Sequence, residues 1–301
     1  MTRILVAGGT GLLGCTAVPA LREMGHRVCT LSRSSAADVQ VDLLDEKRVM
    51  WAVKDRQPEI VIHLAAQTDV DRCEADPQSG FEGNVLSVQN MSAAVRAQSP
   101  QPHLIYLSTD HVYDGDKSGR MQAENEVRIV NHYAMSKYAG ELAALRSSCT
   151  VLRTNFFGLS LCAGRSTFSD WLVARARLAV PTQIFSDVWF NALRMRTMNR
   201  ALDAVCQQRH HGVFNLGSRG MVSKAEFARA LMLAMGLDTG HMRDGTVQGA
   251  ALRAKRPGNM AMDVRRFENT FNFQLPTIEE EIIGLAQEYK HVDVANNALR
   301  Y

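Results

Sequence analysis

Short apolar runs recur along the chain, and none of them alternates strictly with polar residues. They are ILVAG (4–8), RVCTL (27–31), IVIHLA (60–65), LIYLS (104–108), TVLR (150–153) and VFNLG (213–217). A strand with one wet face alternates, whereas a strand buried on both faces reads as a continuous apolar run. Between the runs the period changes. Val85, Val88, Met91 and Val95 stand at helical spacing, the signature of an amphipathic helix. Strand and helix patterns in alternation predict an α/β fold, a doubly wound parallel sheet with helices on both faces.

The rhythm changes after Arg153. STFSDWLVARARLA (166–179) reads as a helix that Pro181 ends, and SKAEFARALMLAMG (223–236) as another. Ser223 and Glu226 have capping-box spacing, and Gly236 suits the helix's C-terminal end. The pattern predicts a sheet domain over 1–155 with a return to the sheet near 196–217. A smaller, interleaved α/β lobe is expected over 156–195 and 218–301, with a polar, loosely held tail at 291–301.

Composition narrows the class. The 301 residues carry a net charge of +3, with no dense basic stripe of the kind that marks nucleic-acid binding. The six cysteines, Cys15, Cys29, Cys73, Cys149, Cys162 and Cys206, form no C-x-x-C pair, which argues against zinc ligation or a disulfide framework. Reduced thiols suit a cytoplasmic enzyme. No apolar run approaches the ~18 residues of a membrane span, and the first strand leaves no room for a signal peptide. The fourteen methionines read as core filler. No cysteine or carboxylate cluster gives His63, His111, His132, His210 or His211 metal-ligand spacing, so they read as structural or surface residues and no metal is expected.

The stretch ILVAGGTGLLG (4–14) holds the first chemistry. Gly8, Gly11 and Gly14 form G-x-x-G-x-x-G between a strand and a helix. Residues without side chains let the backbone touch a pyrophosphate, and the helix N-terminus offers unpaired N–H groups. A tight structural turn would give the same glycines. In the phosphate reading Gly8, Thr10, Gly11, Leu12 and Leu13 line a dinucleotide. At the end of the second strand, where many NAD-binding folds place an acid for the ribose 2′-OH, stand Ser32 and Arg33. A guanidinium suits a 2′-phosphate. NADP(H) is therefore preferred, with NAD(H) as the alternative and a surface role for Arg33 as the bland one.

A second constellation follows. Tyr133 and Lys137 stand at i and i+4 in NHYAMSKYAGELAAL (131–145), on one helix face. An ammonium beside a phenol favours the phenolate and makes tyrosine a better proton shuttle. Upstream, LIYLSTDHVYDG (104–115) ends a strand at Ser108 and Thr109, the sheet edge at which ligands bind.

Together these elements resemble the extended short-chain dehydrogenase/reductase family. The resemblance implies a Rossmann-type cofactor domain, a nucleotide-sugar lobe and a Ser/Thr–Tyr–Lys triad at Thr109, Tyr133 and Lys137, with Ser108 as the other candidate hydroxyl. It places Leu64, Ala65 and Ala66 of HLAAQTDVDRCEADP (63–77) along the cofactor and Asp42 and Leu43 of VDLLD (41–45) beside its adenine. Asn84 matches a family asparagine. STDHVYDG, TVLRTNFFG and AKRPGNMAMDVRRFE (254–268) are similar to segments of the dTDP-4-dehydrorhamnose reductase branch. That likeness gives Thr109 and Asp110 to the sugar and makes Arg256 a candidate diphosphate partner, a capping or surface role being the alternative. FSDVWFNALRM (185–195) lacks the glycine and proline of that branch's sugar-pocket segment, so the sugar stays open. The implied activity is NADPH-dependent reduction of a 4-keto-6-deoxy nucleotide-sugar by a possible homodimer. A nucleotide-sugar epimerase, or a non-catalytic NADP-binding regulatory subunit, is the alternative.

Overall fold

In the computed structural model, which describes residues 1–115 and 120–290, each of the six apolar runs becomes a strand of one sheet. These are β1 (Arg3–Ala7), β2 (Arg27–Ser32), β4 (Ile60–His63), β5 (His103–Leu107), β6 (Cys149–Thr154) and β7 (Gly212–Leu216). A two-residue strand, β3 (Val39–Gln40), completes the order β7-β6-β5-β4-β1-β2-β3, with every pair parallel. The direction of winding reverses between β1 and β4, so the crevice outside their carboxyl ends is the expected ligand site.

Successive strand side chains point to opposite faces, and both faces are covered. Ile4 and Val6 of β1, Ile60 and Ile62 of β4 and Ile105 and Leu107 of β5 face one layer. That layer holds α1 (Gly14–Glu23) and, later in the chain, the helix Met195–Gln208. Val264, Phe267, Phe271 and Leu275 join it, although they fall within 218–301, the stretch expected in the smaller lobe. Leu5, Val61, Leu104 and Tyr106 face the other layer, with α2 (Glu46–Arg56), α3 (Ser87–Arg96) and the end of α4 (His132–Ala144). This two-sided burial is why the runs do not alternate.

The helix expected around Val85–Val95 is interrupted at its start. Residues Glu82–Leu86 form a π-helical turn before α3. Asn84 lies in that turn, where its side chain is tied to neighbouring elements as described below.

A third apolar cluster includes Phe157, Leu172, Phe190, Phe227, Leu231, Leu285 and Tyr289. It joins α5 (Phe168–Arg177), α7 (Lys224–Met235) and α8 (Ile278–Tyr289), α6 being the helix Met195–Gln208. The rings of Phe157 and Phe227 lie 4.7 Å apart. The Ser223–Glu226 capping box forms, and Gly236 ends α7 in the left-handed conformation. Thr167 with Asp170 and Thr277 with Glu280 make the same motif at α5 and α8. α5 stops at Arg177, ahead of Pro181, because Ala179 takes a positive φ of 50°. The tail at 291–301 lies outside the described residues. Among those described, no helix is long and apolar enough to cross a membrane, and all six cysteines are free thiols.

Candidate active site

The glycine loop is shaped by close contact. Gly8 turns the chain after β1 at φ +83°, and a Cβ there would lie 2.7 Å from the Ala65 nitrogen. The loop thus rests on Leu64–Ala66, the extension of β4. At Gly11 a Cβ would meet only the Gly8 carbonyl, at 3.1 Å, so that side of the loop is open. Leu13 occupies the N-cap of α1, and no side chain caps the helix. The Cys15 and Thr16 amides turn back to the Gly11 and Leu13 carbonyls, and the dipole's positive end faces the loop, where it favours an anion. This open, uncapped cradle fits a dinucleotide's diphosphate.

The neighbouring positions are tied together by hydrogen bonds at the end of β2. Thr10 Oγ1 donates to Ser32 Oγ at 3.0 Å, joining the loop to the end of β2. Arg33 follows, exposed. The carboxylate of Asp38 is engaged by the Thr30 amide and hydroxyl, each at 2.8 Å. Asp42 is exposed and accepts from the Leu44 amide at 3.0 Å. Leu43 beside it buries its side chain in the second layer.

At the other side of the switch point, Ser108 and Thr109 end β5 with different partners. Ser108 Oγ donates to Glu141 Oε1 at 2.5 Å. Glu141 also pairs with Arg153, Nη2 to Oε2 at 2.6 Å, and both side chains are almost fully buried. Arg153 Nη1 donates to the Tyr113 hydroxyl at 2.8 Å, which in turn donates to Asn215 at 2.7 Å. The Ser108 hydroxyl is thus committed to a structural network. Thr109 is the hydroxyl that acts on the Tyr133 phenol, lowering its proton affinity against burial; its own Oγ1 donates to Asp110 at 3.3 Å.

Helix α4 carries the rest. Asn131 caps it through the Ala134 amide and donates to the Lys255 carbonyl at 2.9 Å, tying the helix to the 254–256 segment. Tyr133, Lys137 and Glu141 recur at four-residue spacing and all are buried. Asn84 donates to Ser136 Oγ at 2.9 Å and bonds both backbone groups of Gln67, so it fixes α4 against the chain leaving β4. A Cβ on Gly140 would collide with the Asn84 carbonyl and the Tyr106 hydroxyl, which is what lets α4 come this close.

The electrostatics correct one expectation. Burial pushes the Tyr133 phenol well above its ordinary value; the Thr109 hydrogen bond opposes the rise, and Lys137 is not among the groups acting on it. The reason is geometric: Lys137 Nζ donates to the Leu107 carbonyl at 2.6 Å and lies 4.4 Å from the Tyr106 ring centre. Burial lowers Lys137 to about 7, with Glu141 opposing. The tyrosine in this site is a neutral phenol, a proton donor.

Asp110 is buried and accepts from Asn155 Nδ2 at 2.8 Å and from Thr109 at 3.3 Å. Burial raises it to about 6. Arg256 is held by Asp71 at 2.9 Å and donates to the Ala254 carbonyl at 3.2 Å. Three residues near the cluster were missed or undervalued. His111, read as structural, sets its ring edge-on to Tyr133 with centres 5.4 Å apart. Lys224, in α7, acts electrostatically on Asp110. Cys162 donates to the Thr10 carbonyl at 3.6 Å, as Cys15 does at 3.7 Å. Only the lobe packing reveals the last two; the position of His111 two residues after Thr109 was a readable signal. Among the described residues, no group of three or more His, Cys, Asp or Glu is placed to hold a metal ion. A surface cavity lined by Glu124, Asp263, Arg265, Arg266, Asn269 and Thr270 shares no residue with this cluster.

Comparison with known proteins places this arrangement. The family described as the RmlD substrate binding domain matches residues 1–291. The chain is 27% identical over 291 residues to a dTDP-4-dehydrorhamnose reductase of Sinorhizobium fredii, covering 92% of this chain and 94% of the relative. It is also 27% identical over 286 residues to methionine adenosyltransferase 2 subunit beta of Rattus norvegicus, covering 88% and 81%. Among solved structures, a Bacillus anthracis dTDP-4-dehydrorhamnose reductase in complex with NADP superposes with a TM-score of 0.86 at 20% identity, covering 95% of this chain and 99% of that one.

Proposed function

The chain belongs to the RmlD substrate binding domain family, among the extended short-chain dehydrogenase/reductases, which are NAD(P)-dependent oxidoreductases, and on that premise we propose that it reduces the keto group of a 4-keto-6-deoxy nucleotide-sugar with NADPH. The observation that carries the reading is the buried phenol of Tyr133, on one face of α4 with Lys137 and under the influence of the Thr109 hydroxyl, together with the open glycine cradle.

A bound reduced nicotinamide would supply a hydride to the keto carbon. The loop Gly8–Leu13, through the amides not already bonded to the Leu31 and Gly8 carbonyls, would hold the diphosphate against the start of α1, and the Lys137 amine would bond the ribose hydroxyls. The Thr109 hydroxyl would donate to the substrate carbonyl oxygen. Tyr133 would then give that oxygen its proton as negative charge develops there. Burial keeps this proton on the phenol until an acceptor arrives. Asp110, fixed by Asn155, would bond a sugar hydroxyl. The exposed Arg33 beside Ser32, with no free acid at that strand end, supports NADPH over NADH.

The test is Tyr133→Phe. Turnover should fall by about 10²–10⁴, while NADPH affinity, read by fluorescence, stays near that of the parent. Full activity in this variant would overturn the assignment. The likeness to methionine adenosyltransferase 2 subunit beta favours a second reading, a cofactor-binding subunit without turnover. NADPH oxidation by the purified protein with a keto-sugar nucleotide would eliminate it.

A further inference from the structure

We propose that Cys15 and Cys162 are a redox-active thiol pair, a modification site at which a peroxide closes a disulfide beside the glycine loop and weakens the loop's hold on a dinucleotide. The proposal rests on the reading of Gly8–Leu13 as the cofactor cradle, and not on the reductase chemistry.

Cys15 is the second residue of α1. Cys162 lies far along the chain, in the segment that precedes α5. Packing brings both to one atom. Cys162 Sγ donates to the Thr10 carbonyl oxygen at 3.6 Å, and Cys15 Sγ donates to the same oxygen at 3.7 Å. Two sulfurs within reach of one oxygen are neighbours, and the Cys15 thiol has Cys162 as a hydrogen-bond partner. Both are free thiols and neither is fully buried. Cys162 stands between Leu161 and Ala163, which are exposed. A turn presents it, with its amide on Ser160 Oγ at 3.2 Å and its carbonyl accepting from the Arg165 amide at 3.2 Å. Cys73, Cys149 and Cys206 are buried, and Cys29 packs in the layer on the other face of the sheet from α1.

The exposed setting of Cys162 makes it the thiol that a peroxide meets. Its thiolate attacks one peroxide oxygen, the O–O bond breaks, and the sulfur becomes a sulfenic acid as the first water leaves. Burial and Cys162 itself raise Cys15 to about 11, so Cys15 waits as a protonated thiol. Its sulfur then displaces the hydroxyl from the Cys162 sulfur. The S–S bond forms, and the Cys15 proton leaves with that hydroxyl as the second water. The two thiols lose two electrons and two protons in all, and the peroxide is reduced to water. A dithiol reopens the bond by exchange.

A disulfide has no S–H, so the Thr10 carbonyl loses both donors. Thr10 is part of the cradle, and the Cys15 amide is bonded to the Gly11 carbonyl at 2.9 Å. The start of α1 also rests directly on the loop, since a Cβ on Gly14 would lie 2.5 Å from the Gly8 carbonyl oxygen. A bond formed at Cys15 is therefore felt along the whole cradle.

The experiment treats the cofactor-free protein with hydrogen peroxide, then maps unreduced peptides by mass and measures NADPH binding by fluorescence. A peptide pair joined through Cys15 and Cys162 should appear. NADPH affinity should fall with it by about tenfold, the effect of losing one or two hydrogen bonds, and return with dithiothreitol. Saturating NADPH added first should slow the crosslink, because the coupling is reciprocal. Cys15→Ser should stop at a sulfenic acid on Cys162, trapped by dimedone, and Cys162→Ser should keep its NADPH affinity through the treatment. The proposal is overturned if the parent forms no such peptide pair, if the pair forms while NADPH affinity stays unchanged, or if Cys162→Ser loses affinity as the parent does. The crosslink with its loss of NADPH affinity, in a protein that turns over no keto-sugar, would uphold this proposal while overturning the reductase reading.

Discussion

At Tyr133, burial raises the phenol and the Thr109 side chain opposes it, while the Lys137 amine, turned to the Leu107 carbonyl, takes no part. The four-residue spacing from Tyr133 to Lys137 was legible, because it is a property of one helix. Where the amine points was not, because it depends on the Leu107 carbonyl at the end of another element. The same limit hid the electrostatic influence of Lys224 on Asp110, two residues far apart in sequence. Asp110 carries a testable consequence. Its carboxyl is raised from 3.8 to about 6 in the folded protein. Below both values it is protonated folded and unfolded, and contributes nothing. As pH rises through that window the unfolded chain ionises first, so wild-type stability falls and the full penalty is present above about 6. Asp110→Asn should therefore be more stable than wild type by about 1–3 kcal/mol near pH 8. The gain should vanish near pH 3.5, as followed by denaturant titration at each pH. A gain that persisted in acid would contradict the burial account.

The junction of β5, β6 and α4 depends on one buried ion pair. Glu141 binds Ser108 and Arg153 at once, so it sets where β5 ends and where Thr109 stands relative to Tyr133. Replacing one partner leaves the other charge buried and uncompensated, which costs about 3–5 kcal/mol. Glu141→Gln should lose stability of that order in chemical denaturation. A loss under about 1 kcal/mol would mean that water or Tyr113 satisfies Arg153 unaided. Elements of this size were partly readable. The six long strands announced themselves because both faces are apolar. Ser223 and Glu226 announced α7, and Thr167 with Asp170 offered the same signal unread. The two-residue ladders, such as Trp189–Phe190 with Val222–Ser223, have no pattern of their own, since their pairing is imposed by tertiary contact.

Across the whole molecule, the sheet's switch point brings the glycine loop, Thr109 and α4 together. The interleaved architecture follows from a chain that leaves the sheet after β6 and returns for β7. Contacts that join segments far apart in sequence, such as Asn131 with Lys255 and Asp71 with Arg256, were the least legible part. The most direct test is to incubate the protein with NADPH deuterated at the transferable C4 position and a thymidine-diphosphate 4-keto-6-deoxy sugar, then locate the label by NMR. The account predicts stoichiometric NADPH consumption with deuterium on sugar C4 in the product. Epimerisation without net NADPH use, or no label in any of a panel of such keto-sugars, would contradict it.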